Sequence, residues 1–441
     1  MKNTDWYLIF HTAICAAGAT NSIYRRAKSD IWLAIPPALC ACGMEISMNI
    51  LIYRYGSICE PDIIEAFNRM SVHVDEVTDE IYNKKITPAE GITVLKKRLD
   101  SGTAYSLVFT VNFFPWIAEV CSIYGIMYFS LIVDSPVMEL YSDSIKLPCN
   151  RVFLFDRCLY DEFAADNPGH IFHIPLATNI QRSRRVIDNA GSAQKQHFAS
   201  DISFIGSLYT EKCLYNQVKL PDYYEGFANA LIDAQLKVYG YNFIDECLSD
   251  DFVNVFLANA PDHYTFPEAS RHAWKALVAQ QYISVKAAEQ ERIRALKMLS
   301  ENFSVDLYTG SDTSVLPHIH NRGFARSHTE MPLIFNQSKI NLNITARSIR
   351  SGLSLRIFDI LGCGGFLLTN YQAELPEYFE IGSEVEAFSS MEELHDKCAY
   401  YLAHDSEREA IARRGYEKAA RYHSYDTRLL EMMDMALSCN S

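Results

Sequence analysis

From Met48 onward the chain alternates short apolar runs with longer amphipathic ones. The runs at 49–54, 105–111, 128–133, 152–155 and 171–174 are rich in β-branched and aromatic residues, which predicts strands. Residues 61–70, 89–100, 114–124 and 159–165 carry apolar positions at helical spacing. Short buried strands separated by helices predict a parallel sheet covered on both faces. Ligands of such sheets gather beyond the carboxyl ends of the strands. That rule draws attention to Tyr55, Gly56, Asn112 and Asp134-Ser135-Pro136, which follow predicted strands.

A polar stretch at 181–200 reads as a linker. Residues 201–207 then open a second α/β unit with a strand and the Gly206 turn. Residues 215–300 are long and mostly helical, which predicts an insertion early in that unit. Strands resume at 304–308, 340–344, 366–369 and 385–388, and helices at 391–404, 406–420 and 425–437 close the chain. The expected division is an amino-terminal domain over 48–185 and a carboxyl-terminal domain over 186–441. The apolar stretches 6–17 and 31–42 are each too short to span a bilayer. Arg25, Arg26 and Lys28 lie between them, against the order of a signal peptide. We therefore expect the natural domain to start near Met44 or Met48, with 1–47 as an amino-terminal extension.

Composition agrees with two folded domains: 441 residues, 49% hydrophobic and 21% charged. A net charge of -14 argues against nucleic acid as a partner, because phosphodiester binding needs basic surface. The twelve cysteines form no C-x-x-C and are spread through apolar runs, as reduced thiols of a cytoplasmic protein are. Pro317-His318-Ile319-His320 has no third ligand at metal-binding spacing, so no metal is expected. Neither a phosphate-binding P-loop nor a G-x-S-x-G elbow is present.

The chemistry concentrates between Asn341 and Asn370. A strand at 339–344 leads through Ala346-Arg347-Ser348-Ile349-Arg350-Ser351-Gly352 into a helix from Ser354 to Cys363, then Gly364-Gly365 and another strand. A glycine at 352 permits close backbone approach, and a helix start offers free N–H groups to an anion. Arg347, Arg350 and Arg356 bracket that start, and guanidinium groups hold phosphate oxygens in a planar fork. Asp359 follows on the same helix; a carboxylate accepts the two bonds that a ribose diol donates. The competing reading is a surface ion pair between Arg356 and Asp359, with Gly364-Gly365 as an ordinary helix stop.

This stretch resembles the donor-site signature of GT-B glycosyltransferases, nearest to the CgeB-like spore maturation group. Phe335-Asn336-Gln337-Ser338-Lys339, Glu374-Leu375-Pro376-Glu377-Tyr378-Phe379 and the ending from Gly415-Tyr416 to His423-Ser424-Tyr425 fit the same pattern. The resemblance implies two Rossmann-like doubly wound parallel-sheet domains facing a cleft. It implies a nucleoside-diphosphate sugar bound mainly by the carboxyl-terminal domain and a hydroxyl acceptor by the other. Many such enzymes carry two acidic residues separated by seven others; the second matches Asp359 and the first falls on Ser351. The implied phosphate contacts include Gly206, the implied base pocket Tyr308 and Gly310, and Asp134 is the candidate general base.

The resulting expectation is a metal-independent, cofactor-free hexosyltransferase in the cytoplasm. Its partners are a nucleotide sugar and an acceptor on a surface glycan, a lipid-linked precursor or a protein, compatible with peripheral membrane association. Two alternatives stand beside it: a nucleotide-sugar 2-epimerase of the same fold, and a non-catalytic module that keeps the nucleotide pocket.

Overall fold

The computed structural model describes residues 48–261 and 263–438. The extension expected over 1–47 lies outside them. The first sheet comprises β1 (Asn49–Tyr53), β2 (His73–Val77), β3 (Leu107–Val111), β4 (Met127–Leu131), β5 (Asn150–Leu154) and β6 (Ile171–His173). Its order is β2-β1-β3-β4-β5-β6, and every pairing is parallel. The second sheet comprises β7 (Ser200–Ile205), β8 (Val305–Tyr308), β9 (His320–Gly323), β10 (Ser338–Asn343), β11 (Leu367–Asn370) and β12 (Glu386–Phe388). Its order is β12-β11-β10-β7-β8-β9, again parallel throughout. The chain reverses its direction of travel between β1 and β3 in one sheet and between β7 and β10 in the other. Those two switch points are where doubly wound sheets hold ligands.

The two expected parallel sheets are present. The strands that periodicity missed, β2 and β9, are both sheet edges, and β9 is polar and largely exposed. The polar stretch 181–200 is folded rather than extended: it forms most of helix Ile180–Asn189 and all of helix Ser192–His197. The helical insertion leaves the second sheet after β7 and returns at β8. Its Phe256 and Tyr282 are buried in one cluster with Leu51 and Val108 of the first sheet. Backbone contacts seal this contact, with Arg271 N–H donating to Tyr141 O at 2.9 Å.

The last helix, Tyr425–Ser438, also returns to the first domain. Leu429, Met432 and Met433 share a core with Ile63 and Phe67, and Arg69 makes a fork to Asp426 with both bonds at 2.9 Å. Each such apolar side chain contributes about 1.5–3 kcal/mol when buried, so the chain's end helps hold its beginning. Nearer the cleft, Ser135 Oγ donates to Ser348 O at 2.7 Å and Ser348 Oγ to Ser135 O at 2.8 Å. The loop at 346–352 therefore lies against the first domain.

Candidate functional site

The second switch point is spanned by Arg292, from helix Ser284–Asn302. Its Nη1 donates to Ser207 O at 2.6 Å, just beyond β7, and its Nη2 to Ile344 O at 2.7 Å, just beyond β10. The guanidinium lies 4.4 Å from the ring of Tyr209, a residue held at φ 68°. A side chain at Gly206 would bring Cβ within 3.3 Å of the Phe204 ring and 3.6 Å of Arg292, so glycine leaves room for this arrangement. Among the described residues the buried Tyr308 hydroxyl has no hydrogen-bond partner, and burial pushes its pKa up. Gly310 faces open space.

The arginines of the 346–352 loop have other partners than a ligand. Arg347 forks onto the buried carboxylate of Glu291, with both bonds at 2.8 Å, donates to Val238 O, and lies 4.4 Å from the Tyr239 ring. Arg350 reaches Glu162 at 2.6 Å, and its N–H donates to Asp156 at 2.7 Å. Gly352 does allow a close approach, but the neighbour is the first domain's backbone. A Cβ there would stand 2.6 Å from Phe155 O. Ser351 Oγ sits 2.8 Å from Asp156 and 2.7 Å from Glu374, so two carboxylates flank the position where the resemblance expects an acid. Burial raises Glu374, but bonds from His173 at 2.8 Å, the Arg157 N–H and Ser351 outweigh it and hold the carboxyl below its usual range. Gly364 takes φ 73° to end its helix, and Gly365 packs so that a Cβ would meet Phe335 O at 2.6 Å. Both glycines serve the helix end.

Helix Leu355–Gly362 keeps its first turn open. The Ser354 hydroxyl contacts Thr345 Oγ1 at 3.3 Å instead of capping the helix, and among the described residues no other side chain accepts from the first N–H groups. One turn further, Asp359 faces a pocket between the domains. Arg182, Asp62, His328, Phe335 and Tyr425 also line it. Arg356 stands beside it, 3.4 Å from Asp359 and over the Phe335 ring. Burial pushes the Asp359 carboxyl up, countered by Arg356, Arg182 and the Thr178 hydroxyl. Burial likewise lowers the Arg356 pKa, countered by Asp359. The structure thus brings Arg356 and Asp359 together with Asp62 and Arg182, which the sequence did not single out.

Asp134 lies exposed at the first domain's edge of the cleft. Asn112, at φ 59°, donates to Asp134 Oδ2 at 2.6 Å and to the Tyr55 hydroxyl at 2.9 Å. Its side-chain Oδ1 accepts from the N–H groups of Val133 and Asp134. Burial, reinforced by the Asp134 charge, pushes the Tyr55 pKa up. Among the described residues no His, Cys, Asp and Glu side chains cluster as a metal site would require, and no helix is long and apolar enough to cross a membrane.

Two facing doubly wound parallel sheets, linked as described, constitute a GT-B architecture. Within it, residues 290–434 match a family model described as "Glycosyl transferase-like", a span that holds Arg292, Arg356 and Asp359. No curated protein matches the chain. A glycosyltransferase from Rickettsia africae aligns with TM-score 0.46 and 11% identity, over 90% of this chain and 99% of that one. HepE of Anabaena, solved with UDP and glucose, aligns with TM-score 0.46 and 10% identity over 88% and 99%. Sucrose-phosphate synthase of Thermosynechococcus elongatus gives 0.49 and 10% over 88% and 98%.

Proposed function

We propose that this protein is a CgeB-like glycosyltransferase that moves a hexose-type sugar from a nucleoside diphosphate to a hydroxyl acceptor. One observation carries the reading. Asp359 lines an interdomain pocket on a helix whose first N–H groups are uncapped, inside the segment that matches the glycosyltransferase model.

In this reading the acceptor oxygen attacks the sugar's anomeric carbon, the bond to the β-phosphate oxygen breaks, and the nucleoside diphosphate leaves as an anion. The helix start, Arg356 and Arg292 compensate the developing charge. The scheme is metal-independent, and turnover insensitive to chelators tests that part. Asp134 takes the proton of the attacking hydroxyl, as an inverting mechanism requires. Acceptors in this proposal are a surface glycan, a lipid-linked precursor or a protein, met at the cytoplasmic side of a membrane or in the cytoplasm.

The test is turnover. Purified protein is offered a panel of nucleotide sugars with and without glycan acceptors, and released nucleoside diphosphate is measured. We expect release from one donor, lost in Asp359→Ala and Arg356→Ala. Release that survives in both variants would remove the site from the mechanism. Isomerised sugar without acceptor returns the epimerase, and binding without turnover returns the non-catalytic module.

A further inference from the structure

The first domain has a switch point of its own, between β1 and β3. Three chain turns meet beside it. Tyr55 follows β1, Asn112 and Phe114 follow β3, and Asp134 follows β4. Tyr55 and Phe114 are half-buried. Their ring centroids lie 5.7 Å apart with the planes tilted by 56°, so the two rings form a corner. Phe114 is backed by Trp116 at 6.1 Å and by Tyr53 at 5.7 Å. Trp116 packs in turn on helix Pro88–Leu99, where a Cβ at Gly91 would stand 2.9 Å from its ring. The corner is therefore braced from behind.

The surroundings restrict what can bind there. In doubly wound sheets the turn after the first strand often offers its N–H groups to a phosphate. Here that place is taken. The buried Glu60 carboxylate accepts from the N–H groups of Tyr55 at 2.9 Å and Gly56 at 3.1 Å, and from Arg54 Nε at 3.1 Å. Lys84 Nζ, beside the same turn, donates to Tyr55 O. Asp134 is exposed and held by an amide rather than a cation, so its charge is open to the cleft. An anionic group would meet that charge uncompensated. A plain alkyl chain would cover Asp134 and the Tyr55 hydroxyl without bonding either. A neutral sugar ring meets both demands. Its C–H face lies on an electron-rich aromatic face, and its hydroxyls donate to the carboxylate.

We propose that the acceptor is a neutral carbohydrate whose ring stacks in the Tyr55–Phe114 corner with a hydroxyl on Asp134. The inference rests on the glycosyl-transfer reading above and narrows its acceptor to one chemical class. Tyr55 and Phe114 become the residues that determine acceptor specificity, and stacking brings the attacking hydroxyl to Asp134. Rings that carry a phosphate or carboxylate are refused by charge. Alkyl alcohols are refused because they offer no ring face.

Saturation-transfer NMR on the full chain tests this without a donor. The probes are the methyl glycosides of glucose, galactose, mannose and N-acetylglucosamine, the matching uronic acids and 6-phosphates, and 1-octanol. We expect at least one neutral glycoside to bind, and its charged counterparts to bind about fivefold more weakly or worse. Phe114→Leu keeps apolar bulk and removes the aromatic face. It should weaken the neutral glycoside about three- to tenfold, and Phe114→Tyr should retain the parent affinity. Asp134→Asn, at an exposed residue, should narrow the gap between neutral and charged probes and covers the case in which Phe114→Leu does not fold. Four results overturn the proposal: binding of no neutral glycoside, charged or octanol probes binding as tightly, unchanged affinity in Phe114→Leu, or an unchanged gap in Asp134→Asn. Nucleotide calorimetry on the same protein then decides the donor reading separately. Glycoside binding as expected, with no nucleotide bound, overturns the acceptor role and the proposed function together.

Discussion

The side-chain amide of Asn112 donates to the carboxylate of Asp134 at 2.6 Å, joining the ends of β3 and β4 at the mouth of the cleft. Asn112 holds φ 59°, a conformation natural to glycine and tolerated by asparagine. Such strain accompanies functional positions. Replacing Asn112 by glycine removes the amide but suits the backbone. We predict that Asn112→Gly keeps the melting temperature within a few degrees of the parent, while the transfer rate falls about ten- to hundredfold at unchanged donor affinity. Differential scanning calorimetry and steady-state kinetics read the two effects separately.

Arg347 illustrates a different outcome for a motif residue. Its guanidinium is buried and forked onto Glu291. Removing one partner of a buried pair leaves the other charge uncompensated, at a cost of about 3–5 kcal/mol. Arg347→Met should therefore lower stability by that order in urea unfolding. Nucleotide affinity per folded molecule should stay within about twofold, since one contact to phosphate would change it tenfold or more. A variant of normal stability that fails to bind nucleotide would return Arg347 to the phosphate site.

His423 makes the fold pH-sensitive. Its ring lies among Phe358, Phe379 and Tyr378, and its Nδ1 accepts from Arg428 at 3.0 Å, which requires the neutral imidazole. Burial first, then the Arg428 and Lys418 charges, push its pKa down from 6.5 to about 3. Below pH 6.5 the unfolded chain takes up a proton that the folded chain refuses until about pH 3. The His423 contribution is therefore intact above that window and declines as pH falls through it. Between pH 7 and pH 5.5 the stability advantage of the parent over His423→Phe should shrink by about 1 kcal/mol. Urea midpoints at the two pH values measure it; a constant gap would contradict the assignment.

Gly352 ties the donor loop to the first domain. An added Cβ would stand 2.6 Å from Phe155 O and 2.8 Å from Asp156 Cα, both backbone atoms that move only with the domain. Gly352→Ala should cost about 1–3 kcal/mol and expand the molecule. Small-angle scattering should show a larger radius of gyration; an unchanged radius with normal stability would mean the loop yields locally.

The fold was legible where burial is double-sided. Central strands such as β1 and β3 read as apolar runs because both faces are covered. The edges β2 and β9 carry His73, Asp75 and Glu76, and His320, Asn321 and Arg322, which resist edge-to-edge pairing and hide the strand pattern. Within the site, Arg356 and Asp359 were legible because helix, loop and charge are contiguous. Asp62, Arg182 and Arg292 were not, because only the tertiary fold brings them there. Arg182 lay in a polar stretch that looked like a linker. Arg347 looked like an anion ligand because Glu291, its partner, lies in a distant helix.

The central claim is that the Asp359 pocket binds the nucleotide of a sugar donor. Isothermal titration of nucleoside diphosphates and their sugars into the full chain, beside Asp359→Ala, tests it most directly. The account predicts that one nucleotide family binds the parent and that Asp359→Ala weakens it by about tenfold or more. Equal affinity in parent and variant, or no nucleotide binding at all, would contradict it.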